Sequence, residues 1–370
     1  MSDAEYLHRE IASYVYAFVQ RSALPQLAQE VVLPTLSFRS ADRPEFDATV
    51  SLSAGRNAYR IRVFHGLMDR LYESLVYLAN EEPDQVLRCA PATSADDACN
   101  QIYLHALSFV TFHELSHILA GHLDCWAAHY AGKAKLPASF SEAFGFGFNE
   151  TKAEPRTSVA ETKIPGTRFR RLSEFEADGT ALELLFEFGD EIAGMLRVAG
   201  ETAGSEGSSL YAGLAAGALL PIFLFEDLRE TDHPENAEHP FPQARVLNLF
   251  SNFVKLSAPD SFTYGTDGGT IFHQKEEIKP SIVHLFREVL FPAVRLVLSL
   301  DGARVGKASA QPLLFSTSKI KPLMQQLVEL VTQGKTTGTM AGRELALLDS
   351  EKYPYLLLLS PYRKTDWWKL

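Results

Sequence analysis

The sequence contains few cysteines, and none of them has a metal-binding or redox spacing. Three occur in 370 residues, Cys89, Cys99 and Cys125, and no two form a CxxC pair. A disulfide-stabilised secreted domain usually carries an even, closely spaced set, so no disulfide framework is expected. We therefore predict free thiols in a reducing compartment, with Cys125 as a small buried side chain.

Basic residues are not in excess, and no leader segment is expected. The chain carries 35 Lys and Arg against 46 Asp and Glu, a formal net charge of −11. This balance argues against nucleic acid or an anionic membrane as a general partner. Acidic residues Asp3, Glu5 and Glu10 stand where a signal peptide needs basic residues and then a continuous apolar run. A cytoplasmic location is the resulting expectation.

One apolar segment, SSLYAGLAAGALLPIFLF at residues 208–225, approaches the length of a membrane span. It is only moderately hydrophobic, contains Pro221, and has no basic cluster beside it. These features favour a buried helix of a large domain over a transmembrane helix. We predict no stable membrane insertion.

Most of the remaining pattern is helical, with one clear strand. Apolar residues recur at three- and four-residue spacing in the helical stretches, whereas AYRIRVF alternates between apolar and charged residues as a strand does. The predicted strand covers 57–64, and the predicted helices cover 5–35, 64–81, 98–122 (with an N-cap between Ser94 and Asp97) and 173–188.

Two long stretches have weaker patterning. Residues 131–170 mix glycine, proline and charge, which is typical of an insertion or a loop and suggests a lid. Residues 257–370 combine a glycine-rich loop, YGTDGGT, with helical patterns. We expect a mostly helical α+β fold with a small sheet, formed by a domain over 1–256 and a helical C-terminal extension over 257–370.

Candidate chemistry is concentrated in TFHELSHILAGHLD, residues 111–124. His113 and His117 are four residues apart, so on a helix their imidazoles project from one face and can bind one metal ion. Glu114 lies beside that face, where it could take a proton from a zinc-activated water and pass it to a leaving amine. The HExxH motif also arises by chance, so a metal site needs a third ligand.

The third ligand is expected on the helix RRLSEFEADGTALELL, residues 170–185. His122 is a poor candidate, because on a continuing helix it would turn away from the motif. Glu174 and Asp178 are four apart and share a helix face, while Glu176 points elsewhere. A carboxylate from this second helix would complete a His, His, Glu set with one position open. Asp178 could then accept the second N–H of a ligating histidine.

Together, HExxH and EFEAD resemble the signature of the gluzincin zinc metallopeptidases of the HtpX and CAAX prenyl protease type. That resemblance implies a zincin-like core, Zn2+ as the cofactor, and Glu174 rather than Glu176 as the third zinc ligand. It also implies Glu114 as the general base and a protein or peptide as the substrate.

Two further stretches resemble the same family. NAYRIRVFHGLMDRL, residues 57–71, looks like the family's edge strand and the helix that follows, which implies that an extended substrate adds to this strand. EHPFPQARVLNL resembles the family's His-Pro segment, which implies that His239 and Arg245 lie near the zinc and could stabilise an oxyanion or organise the site. His233 repeats the His-Pro pattern and is the alternative to His239.

We therefore expect a zinc-dependent metalloendopeptidase. The HELSHILAGHLD sequence also resembles that of the soluble phage-exclusion peptidase Lit. As an alternative, this resemblance implies a peptidase that acts on one host protein. The competing hypothesis is a noncatalytic interaction protein whose HExxH helix is structural or whose metal only holds helices together.

Overall fold

The computed structural model of this chain is mostly helical with a small mixed sheet, as the sequence predicts. The structure describes residues 3–27, 35–42, 44, 46–52, 58–90, 92–129, 141–145, 164, 166–194, 207–226, 240, 242–257, 262–264, 270–272, 284–300, 352 and 354–364.

The helices follow the apolar periodicity of the sequence and bury one face or more. Over the described ranges they are α1 (Asp3–Phe18), α2 (Leu24–Leu27), α3 (His65–Glu81), α4 (Pro83–Cys89), α5 (Ala95–Leu119), α6 (His122–His129), α7 (Gly166–Gly194), α8 (Gly207–Glu226), α9 (Pro242–Ser257) and α10 (Phe291–Leu298). A π-helical turn, Phe286–Leu290, leads into α10, and another, Val19–Ala23, joins α1 to α2.

Within the described residues, the main sheet has four strands in the order β1-β3-β2-β4. They are β1 (Thr35–Ala41), β2 (Ala48–Leu52), β3 (Ala58–Phe64) and β4 (Ser141–Gly145). β3 pairs in parallel with β1, while β2 is antiparallel to both β3 and β4. The expectation that 57–64 forms an edge strand is wrong, because β1 and β2 occupy both sides of β3.

α5 is the central helix of the site. The Ser94 hydroxyl accepts a hydrogen bond from the Asp97 amide at 3.1 Å, which caps the helix where the sequence predicts it. The helix ends at Leu119 rather than at 122, because Gly121 adopts a left-handed backbone with φ of 79°. This break redirects the chain, so His122 starts a new helix instead of continuing α5.

α7 and α8 pack against α5. The predicted helix over 208–225 is present as α8 and is largely buried against the core. Gly213 and Gly217 allow the close approach, since a Cβ on Gly217 would lie 2.6 Å from the Cβ of His105 on α5. Among the helices in the described ranges, none has the length and apolar character to cross a membrane.

Several predicted boundaries shift in the structure. The helix expected over 5–35 ends by Leu27, and β1 follows from Thr35. The 131–170 insertion contains β4, and α7 already begins at Gly166; the rest of that stretch lies almost entirely outside the described residues. Two short antiparallel strands, β5 (Phe262–Tyr264) and β6 (Thr270–Phe272), flank the predicted glycine-rich loop, whose residues 265–269 lie outside the described residues.

Parts of the predicted C-terminal extension belong to the main core. α10 packs on α8 and α4, and its Val294 is buried in the same hydrophobic cluster as the α5 side chains. A short helix over 354–359 continues into a 3-10 turn, Ser360–Tyr362, and adds Tyr355 and Leu359 to that cluster.

Candidate metal centre

Two histidines on the buried C-terminal half of α5 face the same point. His113 and His117 are four residues apart on the helix and are fully buried. Their Nε2 atoms lie 3.2 Å apart, so both rings present the same nitrogen to one location. This is the arrangement predicted from the HExxH spacing.

α7 supplies a carboxylate to that location. Glu174 places Oε2 3.3 Å from Nε2 of His113 and Oε1 3.7 Å from Nε2 of His117, and it is 1% exposed. Ligand atoms of the three residues all lie within 4.8 Å of one another, so this buried group could hold a metal ion. The structure therefore brings together the three predicted ligands. Glu176, two residues on, is not in the group.

Asp178 lies one helical turn beyond Glu174 and supports the first histidine. Its Oδ1 is 3.0 Å from Nδ1 of His113, the contact expected for a carboxylate that fixes a ligand's tautomer. Arg245 on α9 donates to the same carboxylate from Nε at 2.8 Å and from Nη2 at 2.7 Å. Burial opposes ionisation, but the Arg245 charge and these hydrogen bonds hold the pKa of Asp178 below its usual value.

The predicted general base, Glu114, is fully buried next to the ligands. Its pKa is raised well above the usual value by burial and by the nearby charges of Glu174 and Asp47. Arg245 and the backbone of Val50 only partly oppose this increase. The Val50 amide does not reach good hydrogen-bonding geometry with either carboxylate oxygen.

The buried charges fit a divalent cation. Glu114, Glu174 and Asp178 are at most 1% exposed, and Arg245 brings one fixed positive charge close to all three. Buried carboxylates are costly without compensating charge, which a metal ion provides. Two imidazole nitrogens and a carboxylate oxygen form a donor set that zinc commonly binds in catalytic sites.

A second network, not expected from the sequence, lies behind His117. The Nδ1 atoms of His117 and His122 are 2.8 Å apart, and Nε2 of His122 lies 3.0 Å from Oε2 of Glu176. Glu176 also contacts the Tyr355 hydroxyl at 2.8 Å and the guanidinium of Arg363. Although burial opposes it, the contacts with His122 and Arg363 lower the pKa of Glu176 to about 2. Burial lowers the pKa of His122, and the hydrogen bond and charge of Glu176 only partly oppose this change.

The signals for this network in the sequence were weak. Gly121, directly after the motif helix, could have indicated the break that turns His122 back towards His117. Nothing in the local pattern links Tyr355 and Arg363 to a helix about half the chain away. Arg363 lies in a basic, aromatic tail with Trp367 and Trp368, for which packing against the body of the protein is a simpler prediction than contact with a partner.

The remaining predicted site residues have different outcomes. Arg245 lies in the site with its guanidinium on Asp178, and its contact with a substrate stays a prediction. His239, and the alternative His233, lie outside the described residues. All three cysteines, Cys89, Cys99 and Cys125, are free, and Cys125 is buried as predicted; the other two are buried as well.

Searches against protein-family models, curated proteins and solved structures found no match to this chain. The chemistry of the site is therefore inferred from the geometry of its own residues.

Proposed function

We propose that this chain is a zinc-dependent endopeptidase that hydrolyses peptide bonds in a protein or peptide substrate. The proposal is based on the close approach of His113, His117 and Glu174, with Glu114 next to His113 on α5. The resemblance to the gluzincins rests on these same residues. A carboxylate beside the first ligand has no role in a purely structural site, so its presence favours catalysis.

Zinc held by the three side chains would supply a Lewis acid that polarises a peptide carbonyl and acidifies a water molecule. In the proposed reaction, Glu114 accepts a proton from the water as the water oxygen bonds to the carbonyl carbon. Glu114 then gives this proton to the amide nitrogen, the C–N bond breaks, and a carboxylic acid and an amine are released. Arg245 holds Asp178 and, through it, the His113 ring, while His239 stays the proposed oxyanion donor.

A substrate can reach these residues only if the protein opens, because all three proposed ligands and Glu114 are buried. β4 pairs along β2 next to Val50, whose backbone approaches Glu114. We propose that β4 covers an edge of β2 to which an extended peptide could add. Deleting residues 135–163 should then increase cleavage of an unfolded substrate. Unchanged or slower cleavage by a folded deletion variant would contradict this role for β4.

The first experiment measures zinc per chain by elemental mass spectrometry in protein never exposed to chelator. The parent is expected to carry about one zinc, and Glu174→Gln to lose most of it, because the ligand carboxylate is replaced by a neutral amide. Glu187→Gln is the matched control, since Glu187 is on the same helix but exposed. Glu176 is unsuitable as a control because it contacts His122. A folded parent without zinc would refute the metal centre.

The second experiment separates metal binding from catalysis. Glu114→Gln should keep the zinc and lose at least 100-fold in the rate at which a fluorescently labelled unfolded protein is cleaved, since it removes the general base. Cleavage by this variant at the parental rate would rule out the proposed mechanism.

Full burial of the ligands also suits a structural metal in a noncatalytic protein. Removing the metal with a chelator distinguishes the two roles. A structural ion contributes to folding, so its loss should cause global unfolding. A folded, inactive apoprotein that regains cleavage on addition of zinc would support the enzyme.

A further inference from the structure

Residues 354–364, called here the C-terminal segment, dock beside the end of α5. The Lys364 amide donates to the carbonyl of Leu119 at 2.9 Å, which satisfies a terminal carbonyl of α5. Gly121 permits this contact, because a Cβ there would lie 2.2 Å from the backbone oxygen of Tyr362. The Lys364 ammonium lies 3.0 Å from the Asp124 carboxylate on α6. The segment is therefore fixed through both its backbone and its side chains.

Docking places two side chains of the segment on the network behind His117. Tyr355 is 2% exposed, and its hydroxyl lies 2.8 Å from both Nε2 of His122 and Oε2 of Glu176. Arg363 forms an ion pair with the other oxygen, Oε1 of Glu176. The Glu176 carboxylate is thus oriented by two groups from the far end of the chain.

The hydrogen bonds define which nitrogen of each ring carries a proton. Ionised Glu176 can only accept, so Nε2 of His122 must donate to it. A neutral His122 then has an unprotonated Nδ1, which accepts from the Nδ1–H of His117 at 2.8 Å. His117 is left with its lone pair on Nε2, the atom that faces His113 and Glu174. This is the tautomer that a metal ligand requires.

The two proposed ligands have parallel support. His113 is oriented by Asp178, which is held by Arg245 of α9. His117 is oriented through His122 by Glu176, which is held by Arg363 of the C-terminal segment. The second arrangement has one more link, and its anchoring group can leave if the segment undocks.

We propose that His122 and Glu176 are positioning residues for His117, and that docking of the C-terminal segment through Tyr355 and Arg363 determines how tightly the centre binds zinc. This inference rests on the proposed zinc centre. Residues 354–364 would then complete a site whose proposed ligands all lie between residues 113 and 174.

The test compares zinc affinity in full-length variants by competition with a chromogenic chelator. Glu176→Ala should weaken zinc binding about 10- to 100-fold, the usual effect of losing a residue that orients a ligand. Glu176→Gln should weaken it less, because its amide oxygen can still accept from His122. A merely structural role for Glu176 would not produce this order of affinities.

Tyrosine substitutions in the segment provide a matched pair. Tyr355→Phe removes the hydroxyl that contacts Glu176 and should weaken zinc binding by roughly three- to tenfold. The effect is smaller than that of Glu176→Ala because Tyr355 lies one contact further from His117. Tyr362→Phe removes a hydroxyl that lies 2.8 Å from Nε2 of His129, away from the ligands, and should bind zinc like the parent. Cobalt-substituted protein gives a second readout. Its visible spectrum should change in Glu176→Ala and not in Tyr362→Phe.

The outcomes separate this inference from the proposed function. A parent that binds no zinc overturns both. A parent that binds zinc, with Glu176→Ala and Tyr355→Phe equal to the parent and to Tyr362→Phe, overturns only the role of the C-terminal segment. Apoprotein melting temperatures establish that each variant is folded before its affinity is compared.

Discussion

The Asp178–Arg245 pair offers a test of the support behind the first ligand. Asp178→Asn keeps the size of the side chain and an oxygen that can accept from Nδ1 of His113, but it removes the negative charge beside Arg245. Breaking a buried ion pair by removing one partner typically costs about 3–5 kcal/mol. Glu174 and Glu114 still attract the Arg245 guanidinium, so we expect the lower end of that range. The loss in the free energy of unfolding should be about 3 kcal/mol.

The same substitution should weaken zinc binding by about tenfold, because the retained amide oxygen preserves part of the support for His113. Tenfold in affinity corresponds to about 1.4 kcal/mol. Urea unfolding of the apoprotein and chelator competition measure the two effects separately. Asp84→Asn is the control, because Asp84 is exposed and should change stability by about 0.5 kcal/mol or less.

A double-mutant cycle with Arg245→Met isolates the interaction between the two side chains. Removing both charges leaves neither one buried alone, so the double variant should be more stable than the sum of the single changes predicts. A coupling energy below about 0.5 kcal/mol would refute the idea that Arg245 acts through Asp178.

Three other predictions concern packing and pH. Gly217→Ala should destabilise the protein by about 1–3 kcal/mol in urea unfolding, because its Cβ would lie 2.6 Å from that of His105. The control Gly189→Ala meets only side-chain atoms of Leu214, at 3.0 Å or more, and an equal loss there would contradict this explanation. Gly121→Ala should undock the C-terminal segment, seen as faster amide hydrogen exchange around Tyr362; unchanged exchange would contradict the steric argument. Burial lowers the pKa of His105 to about 4, so protons bind preferentially to the unfolded state between pH 4 and 6.5. This histidine should therefore cost about 2 kcal/mol of stability between pH 7 and pH 5, measured as the difference over that interval between the parent and His105→Gln; parallel pH profiles of the two proteins would refute it.

Local patterns predicted the parts of the site that depend on helix periodicity. A four-residue spacing places His113 and His117 on one face whatever surrounds the helix, and the same rule pairs Glu174 with Asp178. The Ser94 cap follows from short-range hydrogen bonding to the first turn. These features were predictable because each depends on residues within about one helical turn.

Features that depend on strand partners or distant segments were not predictable in the same way. AYRIRVF reads as a strand from its alternation, but alternation does not reveal that β1 and β2 lie on both sides of it. The predicted helix over 5–35 overlaps β1 (Thr35–Ala41) only at its first residue, and the rest of β1 was not predicted. Tyr355 reaches Glu176 across 179 residues of sequence, and only tertiary packing brings them together.

The EFEAD sequence shows how far a motif can be interpreted before the fold is known. Glu176 is two residues from each of the other two carboxylates, so it leaves α7 in a different direction from Glu174 and Asp178, which share a face. Glu174 faces the α5 histidines, Asp178 meets Arg245 and His113, and Glu176 meets His122 and the C-terminal segment. Helix geometry separates Glu176 from the other two, but it gives that residue no partner. A carboxylate that its helical position excludes as a ligand can therefore still support the proposed centre, here through His122 and the Nδ1 atom of His117.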